Sequence, residues 1–323
     1  MPPTLDYVKP ASKKALKDGE TESFRECLED HIKITSASSN SDIEVKELDA
    51  GMVMVIDDFL SRSECLKMTK LVDTHPSLSF WSEAGRDDDK ARSFRDADTI
   101  EVLSESIAST LWARMNGVFD KFTISIEEES DGSNDSVWER ELPGDWMPVN
   151  FNHDLLWVKY PSGGAFSPHT DGKAIHDFNR RSFYSVIVFL NDVPTGQGGG
   201  TRFYKREALQ HLQSGTNGDG RWTASEEYKT HEVPPRAGRL LVFDQRLVHE
   251  GVPPQCPYVK HIIRSDIMYQ RVHPVCDSPE DIEAYAMFRE AEVLAEEGDV
   301  KQSLVLFRRA VKRSPALAKF MGQ

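Results

Sequence analysis

What most limits the fold of this chain is a series of short strand-like runs in its middle, separated by turns rather than helices. Residues 155–160, 183–190, 200–204, 239–243 and 261–269 are dense in Val, Ile, Leu, Phe, Trp and Tyr, and Gly, Pro and Asp punctuate the intervals. Parallel neighbours need long crossovers, usually helical, so runs spaced like this close as an antiparallel sandwich or barrel. With 323 residues and 39% hydrophobic content, the chain can bury a sizeable core, and most of it reads as globular.

The flanks differ in character. Residues 1–45 are polar, with a Ser-rich tract at 36–41, and read as a mobile tail interrupted by an amphipathic pattern at 24–34. Residues 52–59 predict a buried strand. Ser61 and Glu64 have the spacing of a capping box, which opens a helix through 65–72. A second helix is predicted over 100–119, with Val102, Leu103, Ile107, Leu111, Trp112 and Met115 on its apolar face. Segments 87–95 and 127–145 read as loops, and 208–231 as a long mobile one. From 280 the composition turns rich in Glu, Ala, Leu and Arg, broken by Gly298 and Asp299. Ala291, Leu294, Gly298, Ser303, Phe307, Ala310 and Pro315 make this part resemble one tetratricopeptide hairpin. A lone repeat has no copy to stack on, which leaves two readings: packing against the β core, or docking a partner protein. The expected boundaries are a tail at 1–45, a main domain at 46–275 and the hairpin at 280–318.

Charge narrows the partners. Lys and Arg number 39 against 53 Asp and Glu, a net −14, which disfavours nucleic acid as an electrostatic partner. No run approaches the roughly 18 apolar residues of a membrane span, and the start at Met1-Pro-Pro lacks a basic-then-apolar signal. An intracellular, cytoplasmic protein is the expectation. Cys27, Cys65, Cys256 and Cys276 are scattered without a Cys-x-x-Cys pair, which argues against a zinc ribbon or a redox dithiol.

The chemistry concentrates after the first central run. Tyr160-Pro-Ser-Gly-Gly-Ala-Phe-Ser-Pro-His-Thr-Asp171 crosses a Gly-rich turn and presents His169 and Asp171 two residues apart. In extended chain such residues share a face, so an imidazole nitrogen and a carboxylate oxygen reach one metal from one edge. His249, just past the run at 239–243, supplies a third ligand. Two imidazoles and one carboxylate on one face of an octahedron leave room for further ligands, as non-haem Fe(II) requires and closed structural zinc does not.

Around these residues the sequence resembles the Fe(II)/2-oxoglutarate-dependent oxygenases of the prolyl 4-hydroxylase-like branch, over roughly residues 52–271. The resemblance is carried by Tyr160 through Asp171, Val188-Phe-Leu-Asn-Asp-Val193, Gly198-Gly-Gly-Thr-Arg-Phe203, Ala237 through Asp244, His249-Glu-Gly251 and Lys260 through Tyr269. It implies a mainly β (α+β) protein: a double-stranded β-helix, or jelly roll, with supporting N-terminal helices and the C-terminal helical hairpin. It also implies Fe(II) held by His169, Asp171 and His249, with 2-oxoglutarate and O2 as co-substrates and ascorbate as an auxiliary reductant. Oxidative decarboxylation of 2-oxoglutarate would then be coupled to C–H oxidation, foremost hydroxylation, of a prolyl or amino-acid-like substrate, either a small molecule or a peptide. Oxidative cyclisation or desaturation of a small amino-acid-derived metabolite uses the same cofactors. A non-catalytic jelly-roll scaffold is the alternative from another class.

The family anchors the distal carboxylate of 2-oxoglutarate on a Lys or Arg about ten residues past the last His. Lys260 stands eleven past His249, and Arg264 lies four further on, on the same face of the strand. A guanidinium can grip a carboxylate bidentately, which favours Arg264, while Asp266 offers either cation a structural partner. The resemblance adds Tyr160 as a hydrogen-bonding residue for the co-substrate, and Ser185 as a second hydroxyl on the barrel face. Phe189 departs from the hydroxyl-bearing residue usual there. Halogenases of this superfamily carry a small residue where Asp171 stands, so its carboxylate points away from halide chemistry. For the substrate, Arg95 and Asn150 are candidates from segments that the family places as loops around the mouth, and Arg181, just before the central strand, is a candidate cap for a substrate carboxylate.

Overall fold

The computed structural model describes residues 15–35, 44–81, 85–115, 117–119, 122–127, 143–215 and 220–321, in two compact units. The larger unit draws on 1–118, 150–173 and 183–267, and the smaller on 119–149, 174–182 and 268–323.

Two antiparallel sheets build the core of the larger unit. One runs in the order Val45–Asp49, Val53–Ile56, Leu240–Asp244, Arg180–Phe189, Lys260–Arg271, Asp154–Tyr160, Asp98–Leu103, Ser79–Phe80. The other runs Lys229–Val233, Thr201–Tyr204, Val248–Gly251, Phe166–His169. Neighbours far apart in sequence, such as Val53–Ile56 beside Leu240–Asp244, give the crossing connections of a jelly roll. The core cluster joins Val158, Tyr160, Ile187, Phe189, Phe243 and Ile262 of the first sheet to Phe203 and Val233 of the second. Leu240–Asp244 is buried at every position, which is why it reads as a continuous apolar run, whereas Asp98–Leu103 alternates strictly.

The helices of this unit begin with Glu22–Thr35, which buries Phe24 and Leu28 completely. Of the rest of the expected tail, 15–21 carry a bridge from Leu16 to Val102 and a short turn at Asp18–Glu20, and 1–14 and 36–43 lie outside the described residues. Helix Arg62–Thr74 opens on the expected capping box, with Ser61 Oγ accepting from the Glu64 amide. The long helix expected over 100–119 is corrected. Asp98–Leu103 is a strand, Ser104 caps the next turn through the Ile107 amide, and helix Glu105–Ala113 follows. Val102 and Leu103 therefore belong to a period of two rather than 3.6.

Two expected loops are structured. Segment 87–95 contains helix Asp89–Phe94, capped by Asp88. Segment 208–231 contains the end of the short helix Arg206–Gln210, the hairpin Gln213–Ser214 with Trp222–Thr223, and the start of Lys229–Val233. Its apolar residues Ala208, Leu209, Ala224 and Tyr228 pack on Tyr204 and Val248, which turns a polar-looking insertion into a cover. Residues 128–142 of the other expected loop lie outside the described residues.

In the smaller unit, helices Pro279–Glu296, Val300–Arg313 and Pro315–Phe320 surround a cluster of Phe178, Ala284, Tyr285, Phe288, Ala310 and Leu317. Ser278, Asp299 and Ser314 cap the three helices, and Gly298 takes φ +89 at the break between the first two. Gly144–Phe151 is a strand that pairs with Ile124–Ile126, so Trp146 and Asn150 stand on a strand rather than on the expected loop.

Candidate active site

The turn between Tyr160 and Phe166 brings the first ligand into place. Gly163 has φ +81, and a Cβ on Gly164 would stand 2.6 Å from the Asp96 carbonyl oxygen and from Pro161 Cδ. Only glycine admits that approach of backbones. The chain then enters Phe166–His169, where His169 pairs in register with His249 of Val248–Gly251. Asp171 follows, its amide donating to the Gln245 carbonyl at 3.1 Å.

His169, Asp171 and His249 each offer a ligand atom, and these atoms all lie within 4.8 Å of one another. Each imidazole is locked from behind: His169 Nδ1 donates to the Ser167 carbonyl at 2.7 Å, and His249 Nδ1 to the Leu247 carbonyl at 3.0 Å. A carbonyl only accepts, so both Nδ1 atoms carry the proton and both Nε2 lone pairs face Asp171, at 3.6 and 3.7 Å from its oxygens. Phe166 stacks on the His169 ring at 3.6 Å between centroids, and Phe243 meets the His249 ring edge-on at 4.6 Å. Burial and the neighbouring His169 press His249 down to about 4, which keeps its ring neutral. Burial pushes the Asp171 carboxyl up, but Arg264, His249 and His169 outweigh it and hold it well below the usual carboxylate range. Two imidazoles held through Nδ1 by carbonyls, with Nε2 turned toward one ionised carboxylate, are the kind of donor set a divalent cation needs, and they fit Fe(II).

The triad opens into a cavity. Its walls include the apolar side chains of Leu156, Val158, Ile187 and Ile262, and three cationic residues reach it: Arg95, Lys260 and Arg264. Arg264 Nη1 donates to Asp266 Oδ2 at 3.1 Å, and its Nη2 lies 3.0 Å from Asp266 Oδ1 and 3.5 Å from Asp171. Asn152 and Gln245 also donate to Asp266. Burial nevertheless raises that carboxyl, with Arg264 acting against it.

Lys260 is different. It is 2% exposed, its Nζ lies 4.2 Å from the centroid of the Tyr160 ring, and among the described residues no carboxylate is within ion-pair distance. Burial lowers it to about 7 against the pull of Glu250. A buried ammonium facing a cavity without an anion fits the distal carboxylate of 2-oxoglutarate.

Residues 155–265, which include the triad, Lys260 and Arg264, match a family model described as the 2OG-Fe(II) oxygenase superfamily. The chain carries a 2OG-Fe(II) oxygenase domain. That superfamily uses Fe(II), 2-oxoglutarate and O2. No curated protein matches the chain. Similar solved structures include a viral collagen prolyl hydroxylase from Paramecium Bursaria Chlorella virus-1 in its 2OG complex, with 15% identity over 68% of this chain and 96% of that one and a TM-score of 0.38. A Pseudomonas putida prolyl-4-hydroxylase has 15% identity over 69% and 93%, with a TM-score of 0.39. A Trichoplax adhaerens prolyl hydroxylase, in complex with a hypoxia inducible factor oxygen degradation domain peptide fragment, has 13% identity over 80% and 94%, with a TM-score of 0.42.

The remaining sequence candidates of the oxygenase divide. Tyr160 is buried in the cavity wall, directly opposite Lys260 in register. The Ser185 hydroxyl donates to Asp171 Oδ2 at 2.6 Å and accepts from Arg264 at 3.3 Å, so its partners are the metal-site carboxylate and the guanidinium. Arg95 lines the cavity, whereas Asn150 and Arg181 are not among its lining residues. Thr201 and Gly251 line it as well, without having been singled out from sequence. Both stand in the motifs that carried the resemblance, which was the one signal available for them.

No helix among the described residues is long and apolar enough to cross a membrane.

Proposed function

We propose that the cavity binds Fe(II) through His169, Asp171 and His249, seats the distal carboxylate of 2-oxoglutarate against Lys260, and hydroxylates a prolyl or amino-acid-like substrate. Substrate C–H, 2-oxoglutarate and O2 give substrate C–OH, succinate and CO2, with one oxygen atom entering the alcohol and the other the succinate carboxylate. The observation that carries this reading is three ligand atoms within 4.8 Å of one another in a cavity that Lys260 also lines.

Bound Fe(II), with its co-substrates, supplies the oxidising power for C–H cleavage. The protein's part is positioning. The Ser167 and Leu247 carbonyls orient the two imidazoles, while Ser185 and Arg264 hold the Asp171 carboxylate. Arg264 is already engaged by Asp266, which leaves Lys260 as the cation for the co-substrate. Leu156, Val158, Ile187 and Ile262 would limit water at the reacting carbon. Asp171 is an intact carboxylate, which supports oxygen transfer over halide transfer.

The test is anaerobic titration of the metal-free protein with Fe(II) and then 2-oxoglutarate, following the visible charge-transfer band of a chelated 2-oxo acid. The wild-type protein is expected to develop the band, and His169→Ala to abolish it together with succinate formation in air. A wild-type protein that binds the metal yet shows no band with saturating 2-oxoglutarate would sink the reading.

A further inference from the structure

The cavity holds one cation more than the proposed reaction uses. Arg95 ends helix Asp89–Phe94, where its backbone bridges to Phe166, and it is 3% exposed. Its Cζ lies 5.4 Å from the Trp81 ring centroid and 5.2 Å from that of Phe166. Nη2 donates to Thr99 Oγ1 at 3.2 Å, and Nε is buried without a partner. Among the described residues no carboxylate pairs with this guanidinium. Phe166 in turn stacks on His169, so Arg95 stands one aromatic ring away from the metal triad.

A charge balance shows what is missing. Fe(II), the Asp171 carboxylate and the metal-side carboxylate of 2-oxoglutarate sum to zero. The distal carboxylate neutralises Lys260, and Asp266 neutralises Arg264. Arg95 keeps its charge, because an arginine does not shed its proton in a protein. Two aromatic faces and one hydroxyl offset only part of the cost of burying a guanidinium. The counter-charge must come with whatever else enters the cavity.

Resting on the oxygenase reading above, we propose that Arg95 is a specificity-determining residue that binds a carboxylate of the substrate, and that this oxygenase acts on a small carboxylic acid rather than on a neutral peptide interior. The fork of the guanidinium suits a planar carboxylate bidentately, and Trp81 and Phe166 flank it with apolar surface.

The test uses the full-length protein loaded anaerobically with Fe(II) and 2-oxoglutarate. The charge-transfer band is recorded first, so a failure of the oxygenase reading shows before any substrate analogue is added. N-acetylated amino acids and hydroxy acids, each paired with its primary amide, are then titrated by calorimetry and by perturbation of the band. At least one acid should bind about tenfold or more tighter than its amide, the range of a charge-assisted hydrogen bond. Arg95→Gln should erase that preference and leave 2-oxoglutarate affinity within about twofold. Arg95→Lys should reduce the preference at least about threefold with amide binding unchanged, because the fork is lost, and it serves if Arg95→Gln does not fold. The proposal is overturned if the wild type prefers no acid in the panel. It is equally overturned if the preference survives undiminished in the variants, or if Arg95→Gln with its band intact binds 2-oxoglutarate tenfold more weakly.

Discussion

Burial presses the Lys260 ammonium down to about 7, with Glu250 acting against that pressure, and Tyr160 offers it a π face rather than an anion. Arg264, four residues along the same strand, is a further charge on its side of the cavity. A carboxylate docks on the protonated amine, so binding of 2-oxoglutarate raises the Lys260 pKa. The sign follows: below about pH 7 the free protein already carries the proton, and affinity is flat. Above it, binding must take up a proton, and affinity falls by up to about tenfold per pH unit until the pKa of the complex is reached. Anaerobic 2-oxoglutarate titrations between pH 6 and 9 should show this decline, and Lys260→Arg, which stays charged, should flatten it. Lys260→Met should weaken binding by roughly 10- to 100-fold, as loss of a charged hydrogen bond does. A pH-independent wild type would move the anchor elsewhere. At this scale the sequence showed the His169 and Asp171 pair, because His-x-Asp in extended chain needs no tertiary knowledge, whereas His249 was joined to it by its place after a later strand and by the resemblance. The choice between Lys260 and Arg264 was not legible, since it depends on Asp266 turning to Arg264 while also accepting from Asn152 and Gln245. Nor was the burial of Arg95, which sits at the end of a segment whose polar composition reads as a loop.

Among the supporting elements, helices Arg62–Thr74 and Glu105–Ala113 are joined by Glu64. Its carboxylate accepts from the Ser61 amide and hydroxyl at the start of the first helix, and its other oxygen lies 2.5 Å from Arg114 Nη2, at the end of the second. Both side chains of the pair are nearly buried, at 6% and 5% exposure. Burial pushes the Glu64 carboxyl up, but Arg114 and Ser61 outweigh it and hold it lowered. Removing the carboxylate strands Arg114 with a buried charge, so Glu64→Ala should cost about 3–5 kcal/mol. Ser61→Ala removes only a cap and should cost about 1 kcal/mol. Urea denaturation of both variants checks the ranking, and equal costs would show that the ion pair contributes nothing beyond the cap. The Ser61/Glu64 box was legible because capping is local chemistry. The strand Asp98–Leu103 was not, because Val102, Leu103, Ile107 and Leu111 satisfy a helical period if Ser104 is read as interior rather than as a cap. Likewise the cover at 206–228 depends on Ala208, Leu209, Ala224 and Tyr228 meeting Tyr204 and Val248, contacts that polar neighbours conceal.

For the whole molecule, the order of strand-like runs was enough to establish the two-sheet core, because closely spaced antiparallel strands admit few other closures. The smaller unit was harder to foresee. Its cluster sets Phe178, from the middle of the chain, against Tyr285, Phe288 and Leu317 near its end, and no local pattern announces a partner a hundred residues away. The division bears on how the protein unfolds. The metal triad and all the residues that line its cavity belong to the larger unit, so ligands that bind there stabilise that unit directly. At 100 times its dissociation constant, a ligand adds about 2.7 kcal/mol, which in a domain of 150–250 residues shifts the midpoint by roughly 5–10 °C. Anaerobic calorimetry with Fe(II) alone at that excess should raise the transition of the larger unit by that amount, 2-oxoglutarate added with it should raise it further, and a chelator should reverse both. His169→Ala should remove the shift without lowering the midpoint of the metal-free protein by a comparable amount, because its imidazole trades metal binding for only one hydrogen bond, to the Ser167 carbonyl, and its ring contacts. A shift that survives His169→Ala would place the stabilising metal outside the triad, and a shift in every transition of the thermogram would show that the two units unfold as one.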